Sequence, residues 1–198
     1  MQCNKRGNTG YGVFYLFTKT ITRRTFLHMA VATAAAFSSG RTSFAKSLPA
    51  GTGALTLFNA HTNDRLSVNF RKPDGSYDLD ALQALNWIMR CRYTNQTTVM
   101  DIKTIEYLSL VDKKLGGGNE IHIISGYRSP SFNSLLKQNG RHVARHSLHL
   151  TGKAIDIAIP AIPLEKIRHT AVALQLGGVG YYPGAGFVHI DSGNFRTW

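Results

Sequence analysis

Charge divides this chain into two unequal parts, and the break bounds what the remainder can fold into. Residues 1–45 carry Lys5, Arg6, Lys19, Arg23, Arg24 and Arg41 and no acidic residue. Thr22-Arg23-Arg24-Thr25-Phe26-Leu27 is a twin-arginine pattern, and an apolar stretch runs on from Phe26 to Phe37. Ser43 and Ala45 then supply the small residues that a signal peptidase accepts. This basic, apolar, small-residue order predicts a signal peptide over 1–45 that exports folded protein, cleaved after Ala45, with a periplasmic destination. The apolar stretch is only 12 residues long and includes His28. A bilayer span takes roughly 20, so no stable membrane insertion is expected after the signal is removed.

The folding unit is then expected to be residues 46–198, one domain large enough to bury its own core. Six of the 23 basic residues belong to 1–45, so 17 remain against 11 acidic ones, which leaves +6 of the whole chain's +12. Half of the charge that would suggest nucleic acid therefore lies in the signal. The rest forms no basic helix face or aromatic platform, so nucleic acid is not an expected partner. The remaining balance suits a polyanionic partner in the cell envelope, and it equally suits plain solubility. Cys3 departs with the signal, and Cys91 alone cannot form an internal disulfide. Cys91 follows Trp87, Ile88 and Met89 on a predicted helix and reads as a small packed hydrophobe.

Along the domain the periodicities change from helical to extended. Leu55–Asn59 and Arg65–Phe70 flank His61-Thr62-Asn63-Asp64 as a predicted hairpin. Asp78 is positioned as an N-cap for a helix through Leu79, Leu82, Leu85, Ile88 and Met89 to Cys91. A second helix is predicted from Thr98 to Lys114, stopping at Gly116-Gly117-Gly118. A strand over Glu120–Ile124, a short helix over Pro130–Asn139 and a strand over Ala154–Ile159 follow. Pro163 opens a last helix, with Leu164, Ile167, Ala171 and Leu174 on one face and Gly177 as its end. Strands over Val179–Tyr182 and Phe187–Ile190 close the chain. The order predicts an α+β fold with a small, mainly antiparallel sheet and flanking helices. Five glycines between Gly177 and Gly186 lack the spacing of a phosphate loop and read as turns beside a site.

The chemistry-bearing residues crowd into the last third. Histidines are sparse until His142, His146 and His149, and another stands at His189. A turn at Gly152 could fold the loop so that the His149 imidazole meets the carboxylate of Asp156 as it enters the next strand. His189 on an adjacent strand would complete a set of two nitrogens and one oxygen. Zinc takes such ligands, and a catalytic site keeps a fourth position for water.

Four ordered motifs carry a resemblance. They are Ser125-Gly126-Tyr127-Arg128-Ser129-Pro130, the Ser-x-His-x-x-Gly-x-Ala-x-Asp run at 147–156, Gly178-Val179-Gly180-Tyr181-Tyr182-Pro183, and Phe187-Val188-His189-Ile190-Asp191. Together they resemble the zinc D-alanyl-D-alanine peptidase family of cell-wall enzymes, most closely its twin-arginine-exported murein endopeptidase K branch. The resemblance runs from roughly Leu55 to Trp198 and includes Arg196-Thr197-Trp198. It implies the zinc D-Ala-D-Ala peptidase (Hedgehog/carboxypeptidase-like) fold, one Zn2+ per chain held by His149, Asp156 and His189, and peptidoglycan as partner. Arg128 matches the family arginine that neutralises a substrate carboxylate or the developing oxyanion, a task suited to a planar guanidinium.

One position departs from the pattern. Related carboxypeptidases carry a Glu three residues before the last ligand, or a His two before it, for proton transfer. Gly186 and Phe187 stand there and can move no proton. Asp191 projects from the same strand face as His189, where it could serve as general base or orient His189; the orienting role is the expectation, and no residue is assigned as the base. His146 is a further candidate near the site, and Ser147 is expected to hold the ligand loop rather than attack substrate. The expected activity is murein endopeptidase, acting on diaminopimelate (3–3) cross-links in wall growth or remodelling. A D-alanyl-D-alanine carboxypeptidase and a catalytically silent zinc-containing wall-binding module are the alternatives.

Overall fold

The computed structural model describes residues 53–140 and 144–198. The signal read in 1–45 and His142 lie outside the described residues.

Strands β1 (Ala54–Asn59) and β2 (Arg65–Asn69) form the predicted hairpin. Helix α1 (Leu79–Ile88) starts where Asp78 caps it, its carboxylate accepting from the amides of Asp80 at 3.0 Å and Ala81 at 3.1 Å. Such a cap stabilises a helix by about 1 kcal/mol. Helix α2 (Ile102–Lys114) begins later than the sequence suggested, because Asp101, not Thr98, is its cap. The glycine loop behind α2 closes onto Asp112, whose carboxylate accepts from Gly118 and Asn119 and so aims β3 (Glu120–Ser125) into the sheet. Helix α3 (Pro130–Gln138), β4 (Ala154–Ala158), helix α4 (Leu164–Leu174), β5 (Gly178–Tyr182) and β6 (Phe187–Asp191) follow near their predicted places. Helix α4 ends at Gln175, which takes the left-handed conformation (φ 53°), rather than at Gly177. A two-residue strand that the periodicity did not signal, β7 (Arg196–Thr197), completes the sheet.

The seven strands run in the order β2-β1-β3-β4-β6-β5-β7. Four neighbouring pairs are antiparallel, in keeping with the expectation. Pairs β1–β3 and β5–β7 are parallel, so the sheet is mixed. The β1–β3 pair is parallel because antiparallel β2 returns the chain to the end of the sheet where β1 starts, and α1 and α2 then lead it to the other side of β1. With four α-helices among the described residues the fold is α+β, as the sequence predicted.

One face of the sheet is apolar. Ile155 and Ile157 of β4, Val188 and Ile190 of β6 and Val179 of β5 join Leu85, Ile105, Leu108, Val111 and Ile167 from the helices in one buried cluster. Each such side chain, fully buried, contributes about 1.5–3 kcal/mol. Alternation along a strand sends the residues between them, Asp156, His189 and Asp191, to the opposite face. Tyr107 of α2 donates to the Ala171 carbonyl of α4 at 2.8 Å and locks the helices behind the site. No helix among the described residues is long and apolar enough to cross a membrane.

Candidate metal centre

Strand register builds the site. Asp156 on β4 lies directly opposite His189 on β6, and a register shift in β3 brings Ser125 opposite Asp156 on its other side. The third candidate, His149, arrives from a 3-10 turn over Leu148–Thr151. Gly152 ends that turn in the left-handed conformation (φ 68°), and a Cβ there would stand 2.6 Å from the Val99 carbonyl oxygen. Only glycine satisfies both demands. The Lys153 amide then bonds back to the Leu148 carbonyl at 3.0 Å, and β4 begins one residue later. The turn expected at Gly152 is present and does fold His149 over Asp156.

The three residues expected as ligands come together. His149 Nε2 lies 3.2 Å from His189 Nδ1 and 3.2 Å from Asp156 Oδ1, and His189 Nδ1 lies 2.8 Å from the same oxygen. Their exposures are 3%, 5% and 9% for His149, Asp156 and His189. The far nitrogen of each ring is already committed. His149 Nδ1–H donates to the Gly126 carbonyl at 2.7 Å, and His189 Nε2–H donates to Asp191 Oδ2 at 3.1 Å. Those two bonds fix the tautomers, so two bare ring nitrogens and a carboxylate oxygen face one another. Three electron-pair donors at such distances could share one cation.

Metal bonds of about 2.0–2.2 Å at tetrahedral angles set ligand atoms about 3.3–3.6 Å apart. The observed triangle is slightly tighter than that and suits a small divalent ion. The chemistry of the donor set and its spacing both fit a metal.

Electrostatics keep Asp156 an ionised carboxylate and make His189 a stronger base. Burial alone would raise the Asp156 pKa, but the imidazoles of His149 and His189 outweigh it and hold the carboxyl below the usual range. Burial would lower His189, and the carboxylates of Asp156 and Asp191 on its two nitrogens raise it instead. Asp191 is 0% exposed, and it too is held low: His189 and Arg196, followed by the Gly193 amide, overcome its burial. Its Oδ1 accepts from the amides of Gly178 at 3.1 Å and Gly193 at 2.8 Å and from Arg196 at 3.1 Å. Its Oδ2 accepts from Arg196 at 2.7 Å as well as from His189. A carboxylate so saturated orients a ring; it does not face the cleft to take a proton.

Four positions of the first motif have a physical role. Gly126 packs so closely on the end of α1 that a Cβ would sit 2.4 Å from the Met89 carbonyl oxygen, and its own carbonyl orients His149. The Arg128 amide donates to the His149 carbonyl at 3.1 Å. The guanidinium is buried, with Nη2 3.6 Å from Asp156 Oδ2 and bonded to Ser125 Oγ at 3.3 Å, while its buried Nε has no hydrogen-bond partner among the described residues. Burial lowers its pKa, against the attraction of Asp156. Ser129 caps α3 through Phe132, and Cys91 is buried against Ser129 Oγ.

His149, Asp156, His189 and Arg128 all border one cleft of about 700 Å³. His61, Arg92, His146, Ser147, Tyr182, Arg196 and Trp198 also line it. His146 is exposed there and stands outside the converging group. Asp156 is the sole carboxylate among the described lining residues. Sequence reasoning assigned no role to Arg196, Trp198 or the Gly126 carbonyl. The first two stood within the flagged Arg196-Thr197-Trp198, but nothing in their spacing tied them to His189.

Comparison with known proteins follows the same residues. A family model described as peptidoglycan L,D-endopeptidase MepK matches residues 48–198. The chain is 41% identical over 145 residues to the probable peptidoglycan L,D-endopeptidase MepK of Haemophilus influenzae, which covers 73% of this chain and 77% of that one. It is 38% identical over 144 residues to the peptidoglycan L,D-endopeptidase MepK of Escherichia coli K12, covering 73% and 79%. No solved structure matches the chain.

Proposed function

The chain belongs to the peptidoglycan L,D-endopeptidase MepK family and is a murein endopeptidase, and from that premise we propose that it works with one zinc ion held by His149, Asp156 and His189. The observation that carries the zinc reading is the convergence of three buried electron-pair donors at 2.8–3.2 Å on the wall of a cleft. Zinc bound there would supply Lewis acidity toward the scissile carbonyl and a water acidified to a pKa of about 7.

The chain's own residues do the rest. Arg128 holds negative charge, either a substrate carboxylate or the oxygen that becomes anionic as the peptide carbonyl is attacked. Its unpartnered Nε and its seat beside Asp156 support that role. Asp191 acts through His189, fixing the ring and its tautomer. For the proton that must leave the water and reach the departing amine, elimination favours His146. His61 is engaged with the Ile124 carbonyl and with Arg92, and the two remaining cleft histidines are the proposed ligands. His146→Gln should lower kcat by about 10²-fold or more and remove one limb of its pH profile. An unchanged profile would discard His146.

The substrate bond we infer is the L,D link of diaminopimelate (3–3) cross-links, cut during wall growth or remodelling. Residues 1–45 are proposed as the twin-arginine signal that delivers domain 46–198 to the periplasm. The decisive experiment incubates the purified protein with defined cross-linked muropeptides, with zinc or with a chelator, and reads products by mass spectrometry. Zinc-dependent conversion of 3–3 dimers to monomers is the expected result. Release of D-alanine from intact dimers would overturn the cross-link assignment, and hydrolysis indifferent to chelation would overturn the zinc.

A further inference from the structure

Across the sheet, side chains fall into ranks perpendicular to the strands. One rank reads Asp156 on β4, His189 on β6 and Gly180 on β5. Register continues it to Trp198, which exchanges backbone bonds with β5 on either side of Gly180: its amide donates to Val179 at 3.2 Å and its carbonyl accepts from Tyr181 at 3.0 Å. The neighbouring rank reads Ala154, Asp191, Gly178 and Arg196. In both ranks the β5 position is glycine. Neither glycine has a positive φ, so backbone freedom is not what selects them.

Space selects them. A Cβ on Gly178 would lie 2.4 Å from Asp191 Oδ2 and 2.6 Å from Arg196 Nη1. A Cβ on Gly180 would lie 2.7 Å from Trp198 Cε2 and 2.8 Å from its Nε1. The missing side chains let residues of β7 reach over β5 to those of β6. Arg196 crosses to Asp191 with two parallel bonds of 3.1 and 2.7 Å. Trp198 crosses to the His189 ring, centroids 5.3 Å apart, and its indole N–H is tethered to the Tyr182 hydroxyl at 2.6 Å. Arg196 also lies over the indole at 4.8 Å. His189 is thereby held at one nitrogen by Asp191, itself clamped by Arg196, and on its ring by Trp198.

We propose that Arg196 and Trp198 are positioning residues of the metal centre, clamping His189 across the glycine gap in β5. The proposal rests on the reading of His189 as a zinc ligand. A ring held in plane presents its lone pair to the ion at no cost in rotamer freedom, and partners that act through a ligand are worth about 10–100-fold in metal affinity.

The test compares wild type with Trp198→Ala, Trp198→Phe, Gly180→Ala, Arg196→Ala and Arg196→Lys. Zinc affinity is measured by competition with a chromogenic chelator, melting is measured on the metal-free protein, and kcat and KM are measured on a cross-linked muropeptide. Trp198→Ala and Arg196→Ala should each weaken zinc binding about tenfold or more, with metal-free melting little changed. Gly180→Ala should reproduce the Trp198→Ala loss although it removes no side chain. Trp198→Phe should restore most of the affinity, since a ring still meets His189. Arg196→Lys should restore only part, because an ammonium cannot make the two parallel bonds.

Wild-type zinc affinity in Trp198→Ala and Arg196→Ala would overturn the proposal. A loss that tracks metal-free melting across the whole series would overturn it too, by making the clamp an ordinary stabilising contact. Failure of the wild type itself to bind zinc would mark failure of the underlying metal reading, and the proposal would fall with it.

Discussion

The two faces of the β4–β6–β5 sheet share one backbone and obey different rules. Toward the helices stand Ile155, Ile157, Val179, Val188 and Ile190, each 0% exposed. On the opposite face stand Asp156 and His189, which line the cleft, and Asp191 behind them, all buried, with Gly178 and Gly180 between this group and β7. The apolar face is held by non-directional burial, so each residue tolerates others of similar volume. The cleft face depends on direction: each polar atom needs a particular partner at bonding distance, and an unmatched one costs about 1–3 kcal/mol. Burial is nearly equal on the two faces. Geometry, not burial, distinguishes the two faces.

Substitutions can break or sharpen that contrast. The largest effect is expected from His189→Ala, which removes a proposed ligand while Asp191 keeps its bonds to Arg196, Gly178 and Gly193. Zinc binding and cross-link cleavage should both vanish while circular dichroism retains most of the fold. Full hydrolysis by this variant would refute the ligand assignment. Arg128→Ala comes next, with kcat reduced by about 10²–10³-fold and stability hardly altered. Equal losses of turnover and stability would make Arg128 a structural residue. Ile157→Ala, on the opposite face of the same strand as Asp156, should show the reverse pattern. It should lower unfolding free energy by about 2–5 kcal/mol in urea titration while the folded fraction keeps wild-type zinc affinity. If Ile157→Ala abolished zinc binding in protein still folded, the division between faces would be wrong.

Local signals made much of the molecule legible in the sequence. Asp78 at a cap position and Leu85 and Ile88 at helical spacing placed α1, and the Pro130 start placed α3. Gly152 gave away the turn under His149 because left-handed backbone narrows the choice of residue so sharply. The start of α2 was misplaced because Asp101, which accepts from Lys103 and from the Ser192 hydroxyl, outcompeted the earlier residues as cap. Gln175 ended α4 ahead of Gly177, whose added Cβ would meet the Asp191 carbonyl oxygen, so Gly177 serves close packing. Arg196 and Trp198 were visible as a motif but carried no readable role.

By itself the sequence determined the secondary elements apart from β7, the start of α2 and the end of α4, the apolar and polar alternation of β4 and β6, and the residue types able to hold a metal. Those properties depend on neighbours within a few positions, where capping, turn sterics and side-chain period act. Tertiary structure alone decided that Asp156 and His189, 33 positions apart, stand side by side, and that Trp198 and Arg196 reach them across two glycines. Register between distant strands is fixed by the packing of the whole apolar face against the helices. A one-residue slip would turn His189 into the core and bring Ile190 into the cleft.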